Sequence, residues 1–223
     1  MSNVVAFKVP MQKNMSIRIE ECDGDHDYDL VHFHEECQLT CIMQGSGCLL
    51  AGSNTFNFTP GEVYLFGSNL PHGFKTEGGN GGDELVTGAR RISVFFNRNV
   101  FESLFEQNPE TSSIKNLLDY ASLGYKLSAG NSQEILSKIG RLRNVDDFDK
   151  VLELLDILDC ISKDAQGNYL SACEAVGADL IDGDIHKINE VFAFTEAHFQ
   201  KRISLADVAG HFKMTPPTFS RFF

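Results

Sequence analysis

Through the first part of the chain, apolar and polar residues alternate in short runs that turn signals separate. Alternation with a period of two is typical of a strand with one buried face. Turn signals such as Gly45-Ser46-Gly47 and Pro60-Gly61, and the glycine-rich loop at 78–82, fall between the runs. Short strands at such regular intervals predict a small β-barrel or jelly roll. The predicted strands are residues 16–21, 30–33, 39–43, 47–51, 55–58, 62–66 and 91–96.

From Asn99 onward the period of the apolar positions changes from two to about 3.6, which predicts helices. The predicted helices are residues 100–106, 112–121, 133–142 and 146–162. The apolar stripe of the last helix is too broad for a single two-helix contact, so it needs cover on two sides. The barrel plus a second subunit could provide this cover, or the helix could be buried wholly within its own subunit. The stripe contains Phe148, Val151, Leu152, Leu155, Leu158 and Ile161, and Leu154 and Ile157 widen it.

Two short amphipathic helices are predicted in the segment from Ile203 to Phe223. Ser204 can cap the first helix with Asp207 completing a capping box, and Thr215 can cap the second with Pro216 at its first position. Two helices this short share a core only if they cross steeply, as in a helix-turn-helix; an ordinary αα-hairpin is the alternative. The expected core positions are Leu205, Val208, Ala209, Phe212, Phe219 and Phe222, with Ser220 and Arg221 facing outward.

Charge is distributed unevenly along the chain. The formal net charge is −12, which for the whole chain argues against nucleic-acid binding. Residues 185–223 differ, because they hold five Lys or Arg residues against three Asp or Glu residues. An acidic body with a mildly basic C-terminal part suits a protein in which only that part meets phosphate.

Cysteine usage and hydropathy indicate the compartment. The six cysteines form no CxxC pair, so reduced thiols are expected, with Cys37 and Cys41 as small packing residues on one face of a strand. No apolar run is long enough to span a membrane, and the N-terminus lacks a signal-peptide pattern. We therefore expect a cytoplasmic protein.

The C-terminal segment resembles the first helix-turn-helix of the AraC family of transcription regulators. The residues that carry the resemblance are the run I-S-L-A-D-V-A from Ile203 and the later M-T-x-x-x-F-S-R-x-F from Met214. The resemblance implies that Pro217, Ser220 and Arg221 face DNA, with Thr215 and Thr218 near phosphates. Two positions depart from the family pattern: Lys213 stands where Gly is common, which implies strain if its φ is positive, and Pro217 replaces a longer side chain.

The β-rich part resembles the cupin-like effector domain that precedes the DNA-binding domain in many AraC-type regulators. His32-x-His34, Gln38 and Gly45 have the spacing of the first cupin motif, with Gln in place of its Glu, and Gly61 and His72 have that of the second. Because the first two histidines lie two positions apart, a strand would direct both to one face.

Three roles stay open for His32, His34, Gln38 and His72. The resemblance to metal cupins implies convergence on one ion, but Gln38 offers only a neutral oxygen, so a cation would lose a charge partner. The same side chains can instead line a small-ligand pocket or hydrogen-bond one another. We take the four as ligand-binding residues and expect neither a metal nor a cofactor.

The expected fold class is α+β. Its parts are a cupin-like ligand-sensing β-barrel over residues 1–98, a helical linker and dimerisation region over 99–180, and a truncated AraC-type helix-turn-helix domain over 181–223. Residues 163–184 are expected to form a flexible linker, and Asp184 to cap a helix over 185–199.

The resemblance implies a ligand-responsive, DNA-binding transcription regulator rather than an enzyme, with a small-molecule effector bound in the barrel. Its expected partners are DNA and a second copy of the chain, and no membrane association is expected. The chain ends at Phe223, before the family's second helix-turn-helix, so we expect this function of the parent protein and poor DNA affinity of the chain itself. The alternative is a cupin metalloenzyme, an oxygenase or isomerase, that uses the three histidines and Gln38.

Overall fold

The computed structural model describes residues 5–11, 15–23, 31–76, 89–170, 194, 198, 201 and 203–222, without the side chains of residues 5, 6, 221 and 222. The chain divides into two compact units, one of residues 6–177 and one of residues 178–223 together with residues 1–5. The loop at 78–82, most of the predicted linker, and all of the predicted helix over 185–199 except residues 194 and 198 lie outside the described residues.

The first unit combines two β-sheets with four α-helices among the described residues, so the predicted α+β class is confirmed. None of the helices in the described part of the chain is both long enough and apolar enough to cross a membrane. The strands are β1 Val5–Ala6, β2 Ile17–Asp23, β3 His32–Phe33, β4 Cys37–Gln44, β5 Gly47–Ala51, β6 Asn54–Phe58, β7 Val63–Phe66, β8 His72–Thr76, β9 Arg90–Phe96, β10 Tyr125–Lys126 and β11 Asn168–Tyr169.

The sheets have five and six strands. The smaller has the order β1-β3-β8-β5-β6, and the larger has the order β11-β10-β7-β4-β9-β2 with antiparallel pairing throughout. Of these strands, β1, β8, β10 and β11 have no counterpart in the predicted set. The helices of this unit are α1 Glu102–Gln107, α2 Ser112–Tyr120, α3 Ala129–Leu142 and α4 Asp147–Ser162.

Strand β4 is buried on both faces. Cys37, Leu39 and Cys41 belong to an outer core in which the larger sheet packs against helices α1 to α4. Gln38, Thr40 and Ile42 alternate with them and point to the other side, where all three are also buried. The expected packing role of Cys37 and Cys41 is confirmed, and burial raises the pKa of the Cys37 thiol to about 11.

An inner core fills the space between the two sheets. It is aromatic-rich and takes residues from both sheets: Ile42, Leu49, Ala51, Phe58, Tyr64, Phe66, Leu70, Phe74 and Leu170. Edge-to-face contacts of Phe74 with Phe58 and Tyr64 have ring-centroid distances of 5.5 and 6.1 Å. Burial of this apolar surface on both sides of the larger sheet provides most of the driving force that holds the barrel together.

The residues that follow α4 pack against the barrel. The Leu170 side chain is only 5% exposed within the inner core, and its backbone N–H donates to the Gly124 carbonyl at 2.9 Å. The Asn54 amide donates to the Leu170 carbonyl at 3.0 Å, and the Tyr125 hydroxyl donates to the Asp164 carbonyl at 2.6 Å. The prediction of a flexible linker beginning at residue 163 is therefore wrong for residues 163–170.

The buried face of α4 also differs from the predicted stripe. Leu154, Ile157, Leu158 and Ile161 form the buried face, whereas Phe148 is 72% exposed and Leu152 is 50% exposed. Helix α4 packs against α2 and α3, and this contact buries Leu158 and Ile161 of the predicted stripe together with the two residues that widen it.

We predict that Leu170→Ala destabilises the first unit by about 2–5 kcal/mol, because it leaves a cavity in the inner core. Urea unfolding followed by circular dichroism measures the change. Leu152→Ala, the same substitution at a half-exposed position, is the control and should cost less than about 1 kcal/mol. Equal losses in the two variants would show that Leu170 is not part of the packed core.

Candidate functional site

Three histidines meet at one end of the inner core. His32 on β3 lies directly opposite His72 on β8 in the antiparallel register, and His34 follows β3. Their ring centroids are 4.7 Å apart for His32 and His72, 5.1 Å for His34 and His72, and 5.7 Å for His32 and His34. Ring nitrogens from all three lie within 4.8 Å of one another. The structure thus brings together the three histidines selected from the sequence.

Gln38 completes this cluster from strand β4. Its side-chain oxygen Oε1 lies 2.9 Å from Nε2 of His34 and 2.9 Å from Nε2 of His72. Its amide nitrogen donates to the Thr40 hydroxyl at 2.7 Å and lies 3.4 Å from the Ser93 hydroxyl, and the two hydroxyls are 2.9 Å apart. Gln38 therefore connects the histidines to a polar row across β4 and β9.

Backbone carbonyls orient two of the imidazole rings. His34 Nδ1 lies 2.9 Å from the Glu36 carbonyl oxygen, and His72 Nδ1 lies 2.7 Å from the Leu70 carbonyl oxygen. Because a carbonyl can only accept a hydrogen bond, Nδ1 carries the hydrogen in both rings. In the neutral form, Nε2 of each ring then has a lone pair directed at Gln38.

The surroundings favour neutral imidazoles. His34 and His72 are 3% and 1% exposed, and desolvation by burial lowers the pKa of both, with the nearby His32 and His34 lowering that of His72 further. The ring of Phe66 stacks on His72 with a centroid distance of 4.4 Å and an interplanar angle of 7°, while Phe95 contacts His34 edge-on at 5.4 Å. An apolar wall on one side and neutral polar atoms on the other suit a small polar ligand.

The donor set also fits a metal ion. Three imidazole nitrogens and an amide oxygen are ligands that transition metals accept. Zinc sites are tetrahedral with Zn–N bonds of about 2.1 Å, so neighbouring ligand atoms are about 3.4 Å apart, and ring nitrogens as far as 4.8 Å from one another would have to move closer. His32, His34, Gln38 and His72 are the residues that would hold such an ion.

Sequence reasoning missed Thr40, Ser93 and the two carbonyls that orient the rings. Thr40 could have been found, because it lies two residues after Gln38 on a strand and so shares its face. Ser93 could not, because only the register of β4 with β9 places it opposite Thr40.

The second unit contains the two C-terminal helices, α5 Leu205–His211 and α6 Pro216–Phe222. The Ser204 hydroxyl accepts from the Asp207 N–H and the Asp207 carboxylate accepts from the Ser204 N–H, so the predicted capping box is confirmed. The helix predicted to begin at Pro216 is also confirmed. The Thr215 hydroxyl oxygen lies 3.4 Å from the Thr218 N–H nitrogen and 2.8 Å from the Thr218 hydroxyl.

A small apolar cluster joins the two helices. Ala209 and Phe219 are buried, with exposures of 0% and 5%, and Val208, Phe212 and Met214 pack against them. The expected inward position of Leu205 is wrong, because that side chain is 49% exposed. The turn contains Lys213 with φ of 56°, a left-handed conformation that is unfavourable for residues other than Gly, so this connection is strained.

The sequence-predicted DNA-contacting residues all lie on the second helix or its cap. Thr215, Pro217, Thr218 and Ser220 are exposed, and Arg221 lies within the helix with its side chain outside the described residues. A row of exposed positions on a capped helix that follows a tight turn is compatible with a recognition surface.

The fold of the first unit is a cupin-like barrel, and the three histidines and Gln38 lie between its two sheets. Residues 14–88, about a third of the chain, match the family model of the AraC-like ligand binding domain. That segment contains His32, His34, Gln38 and His72. No curated protein matches the chain.

Solved structures with a similar arrangement include ToxT from Vibrio cholerae, with 13% identity, a TM-score of 0.42 and coverage of 93% of this chain and 74% of that one. The AraC-like transcriptional activator CuxR has 11% identity, a TM-score of 0.41 and coverage of 85% and 60%. A Cupin 2 conserved barrel domain protein from Salinispora arenicola has 14% identity, a TM-score of 0.32 and coverage of 46% and 80%.

We predict that acidification destabilises the barrel. Because the pKa of His34 and His72 is lowered in the folded state, the unfolded chain binds more protons below its ordinary histidine pKa of about 6.5, and stability falls as the pH falls. Each histidine contributes up to about 1.4 kcal/mol per pH unit in that range.

Thermal or urea unfolding between pH 8 and pH 5, in the presence of a chelator, measures this dependence. His72→Gln should flatten the slope, whereas His211→Gln, at an exposed position of the second unit, should leave it unchanged. An unaltered slope in His72→Gln would contradict the assignment of a buried neutral imidazole.

Proposed function

We propose that this protein is a ligand-responsive transcription regulator of AraC type, in which the barrel binds a small effector and the C-terminal unit contacts DNA. The observation that carries the proposal is the pairing, in one chain, of an AraC-like ligand binding domain with a capped helix pair whose second helix exposes polar residues. Neither part alone would distinguish a regulator from a binding protein or an enzyme.

The effector site would consist of His32, His34, Gln38 and His72. These side chains converge at the end of an apolar inner core, and two of them are oriented by backbone carbonyls before any ligand arrives. Preorganised polar groups beside an apolar wall give orientation and selectivity to a small polar molecule. An effector acts on DNA binding only if it has unequal affinity for two arrangements of the protein.

The DNA contacts would come from the second helix of the pair. By the family pattern, Ser220, Arg221 and Pro217 face base edges, and Thr215 and Thr218 lie near phosphates. Arg221 is the best single candidate for a guanine contact, because guanidinium groups pair with guanine O6 and N7 in the major groove. The short core that Ala209 and Phe219 provide would fix the angle between the helices.

Each predicted domain would have its own function: residues 1–98 would bind the effector, residues 99–180 would form the dimer, and residues 181–223 would bind DNA. Phe148 and Leu152 on α4 are exposed apolar residues compatible with a homodimer contact. A dimer would match paired half-sites in DNA.

DNA binding is tested with sequences selected from a random library by the chain itself at low salt. Arg221→Ala should weaken binding to the selected DNA by about 1–3 kcal/mol, or roughly 5- to 150-fold, if Arg221 contacts a base. Fluorescence anisotropy gives the dissociation constant.

Lys201→Ala provides the charge-matched control, since Lys201 is exposed and lies outside both helices. It removes the same charge and should reduce affinity equally for selected and unrelated DNA. Equal behaviour of the two variants would contradict the base-reading role of Arg221.

A further inference from the structure

The polar site between the sheets is closed to solvent. His34, Gln38 and His72 are 3%, 5% and 1% exposed, and Nε2 of each of the two imidazoles lies 2.9 Å from the Gln38 oxygen. A ligand therefore reaches these atoms only after some part of the protein moves aside. The part that moves should be held by few contacts, because local opening costs least where little apolar surface is buried.

The aromatic wall of the site is held on two sides. Phe66 stacks on His72, and Phe95 contacts His34 edge-on. Phe66 lies on β7 and Phe95 on β9, and each of these strands pairs with a neighbouring strand along both of its edges. Displacing either strand would break hydrogen bonds on both sides, so this wall is fixed.

The end of the inner core beside His72 is closed by leucine side chains. Carbon atoms of Leu170 and Leu70 lie 3.0 and 3.2 Å from the position that a Cβ on Gly124 would occupy, so the two side chains meet there. The Leu70 carbonyl accepts from Nδ1 of His72, and Ala51 is the residue opposite His72 in the pairing of β5 with β8. Leu170, Leu70 and Ala51 all belong to the inner core, so Leu170 forms part of the end wall next to His72.

The segment that carries Leu170 is attached by few contacts. Of residues 165–170, all of which the structure describes, Leu170 alone is buried. Its N–H donates to the Gly124 carbonyl, and its carbonyl accepts from the Asn54 side chain. Strand β11 pairs with β10 over only two residues. One buried side chain and a short ladder make this segment easier to detach than β4, β7 or β9.

A pivot is present at the start of this segment. Asp164 is 7% exposed, its carbonyl accepts from the Tyr125 hydroxyl at 2.6 Å, and its carboxylate accepts from the Ser128 N–H at 2.8 Å. These hydrogen bonds hold Asp164 to the barrel independently of Leu170. The chain can therefore swing away after Asp164 while Asp164 itself stays in place.

We propose that residues 165–170 form a lid on the histidine end of the barrel, which pivots after Asp164 and withdraws Leu170 to admit a small polar ligand. With the lid open, the end wall lacks one leucine side chain, and the ligand reaches His72 and Gln38 through the gap. With the lid closed, water is excluded and the polar contacts of the ligand strengthen. Naming that ligand as an effector rests on the proposed regulator function, whereas the lid itself does not.

The lid is tested without effector or DNA by labelling with diethyl pyrocarbonate, which acylates neutral imidazole nitrogens and must enter the site to reach His72. Mass spectrometry of peptides gives the rate for each histidine. Lys126→Cys combined with Asn168→Cys places cysteines at directly opposite positions of β10 and β11, at a separation that a disulfide spans. The oxidised form should label His72 at least about tenfold more slowly than the reduced form of the same variant.

A variant that loosens the lid should have the opposite effect. Asn54→Ala removes the hydrogen bond to the Leu170 carbonyl and should speed the labelling of His72 by roughly 2- to 10-fold, which is the net effect of one hydrogen bond. Asn57→Ala, at another exposed position of β6, is the matched control and should leave the rate unchanged. The exposed His211 of the second unit should react at the same rate in every variant.

Hydrogen exchange separates opening of the lid from unfolding of the barrel. The Leu170 N–H should exchange at least about 100-fold faster than the buried amides of β4, and the disulfide should suppress the difference. Exchange of Leu170 only together with β4 would overturn the lid. An unchanged His72 labelling rate in the oxidised variant, or equal rates in Asn54→Ala and Asn57→Ala, would overturn it as well. Each of these outcomes would leave the proposed regulator intact, because none of them involves DNA or an effector.

Discussion

Burial of strand β4 on both faces constrains the whole first unit. One face, with Cys37, Leu39 and Cys41, must be covered by apolar side chains, and helices α1 to α4 supply them. The other face carries Gln38 and Thr40 into the space between the sheets, where each buried polar group needs a partner. The polar cluster and the helical layer are thus two consequences of one strand pattern.

Part of the polar cluster finds its hydrogen-bond partners in side chains that can both donate and accept. The hydroxyls of Thr40 and Ser93 can each donate or accept, so they provide partners for the amide nitrogen of Gln38. The rings of His34 and His72 have no such freedom, because carbonyls and the flanking rings of Phe66 and Phe95 hold them.

The segment that leaves α4 extends the barrel. Leu170 occupies the inner core beside Leu70, whose carbonyl orients His72, and Asn54 holds the Leu170 backbone. The C-terminal helix pair, in contrast, has a core of only a few side chains around Ala209 and Phe219. The stability of so small a pair depends on its caps and its turn as much as on apolar burial. Ser204 and Asp207 form the capping box, and Lys213 adopts the left-handed conformation in the turn.

The sequence by itself determined the features that local chemistry fixes. Strand β5 follows from alternation between two turns, the capping box follows from Ser204 and Asp207, and the choice of three histidines with Gln38 follows from motif spacing. Only the tertiary structure decided the rest. Strand β8 contains a glycine and forms because β3 and β5 pair with it, and α4 buries the face that its neighbours cover. The partners of Gln38 likewise come from strands far apart in sequence, because hydrogen bonds between strands depend on register, which no local pattern contains.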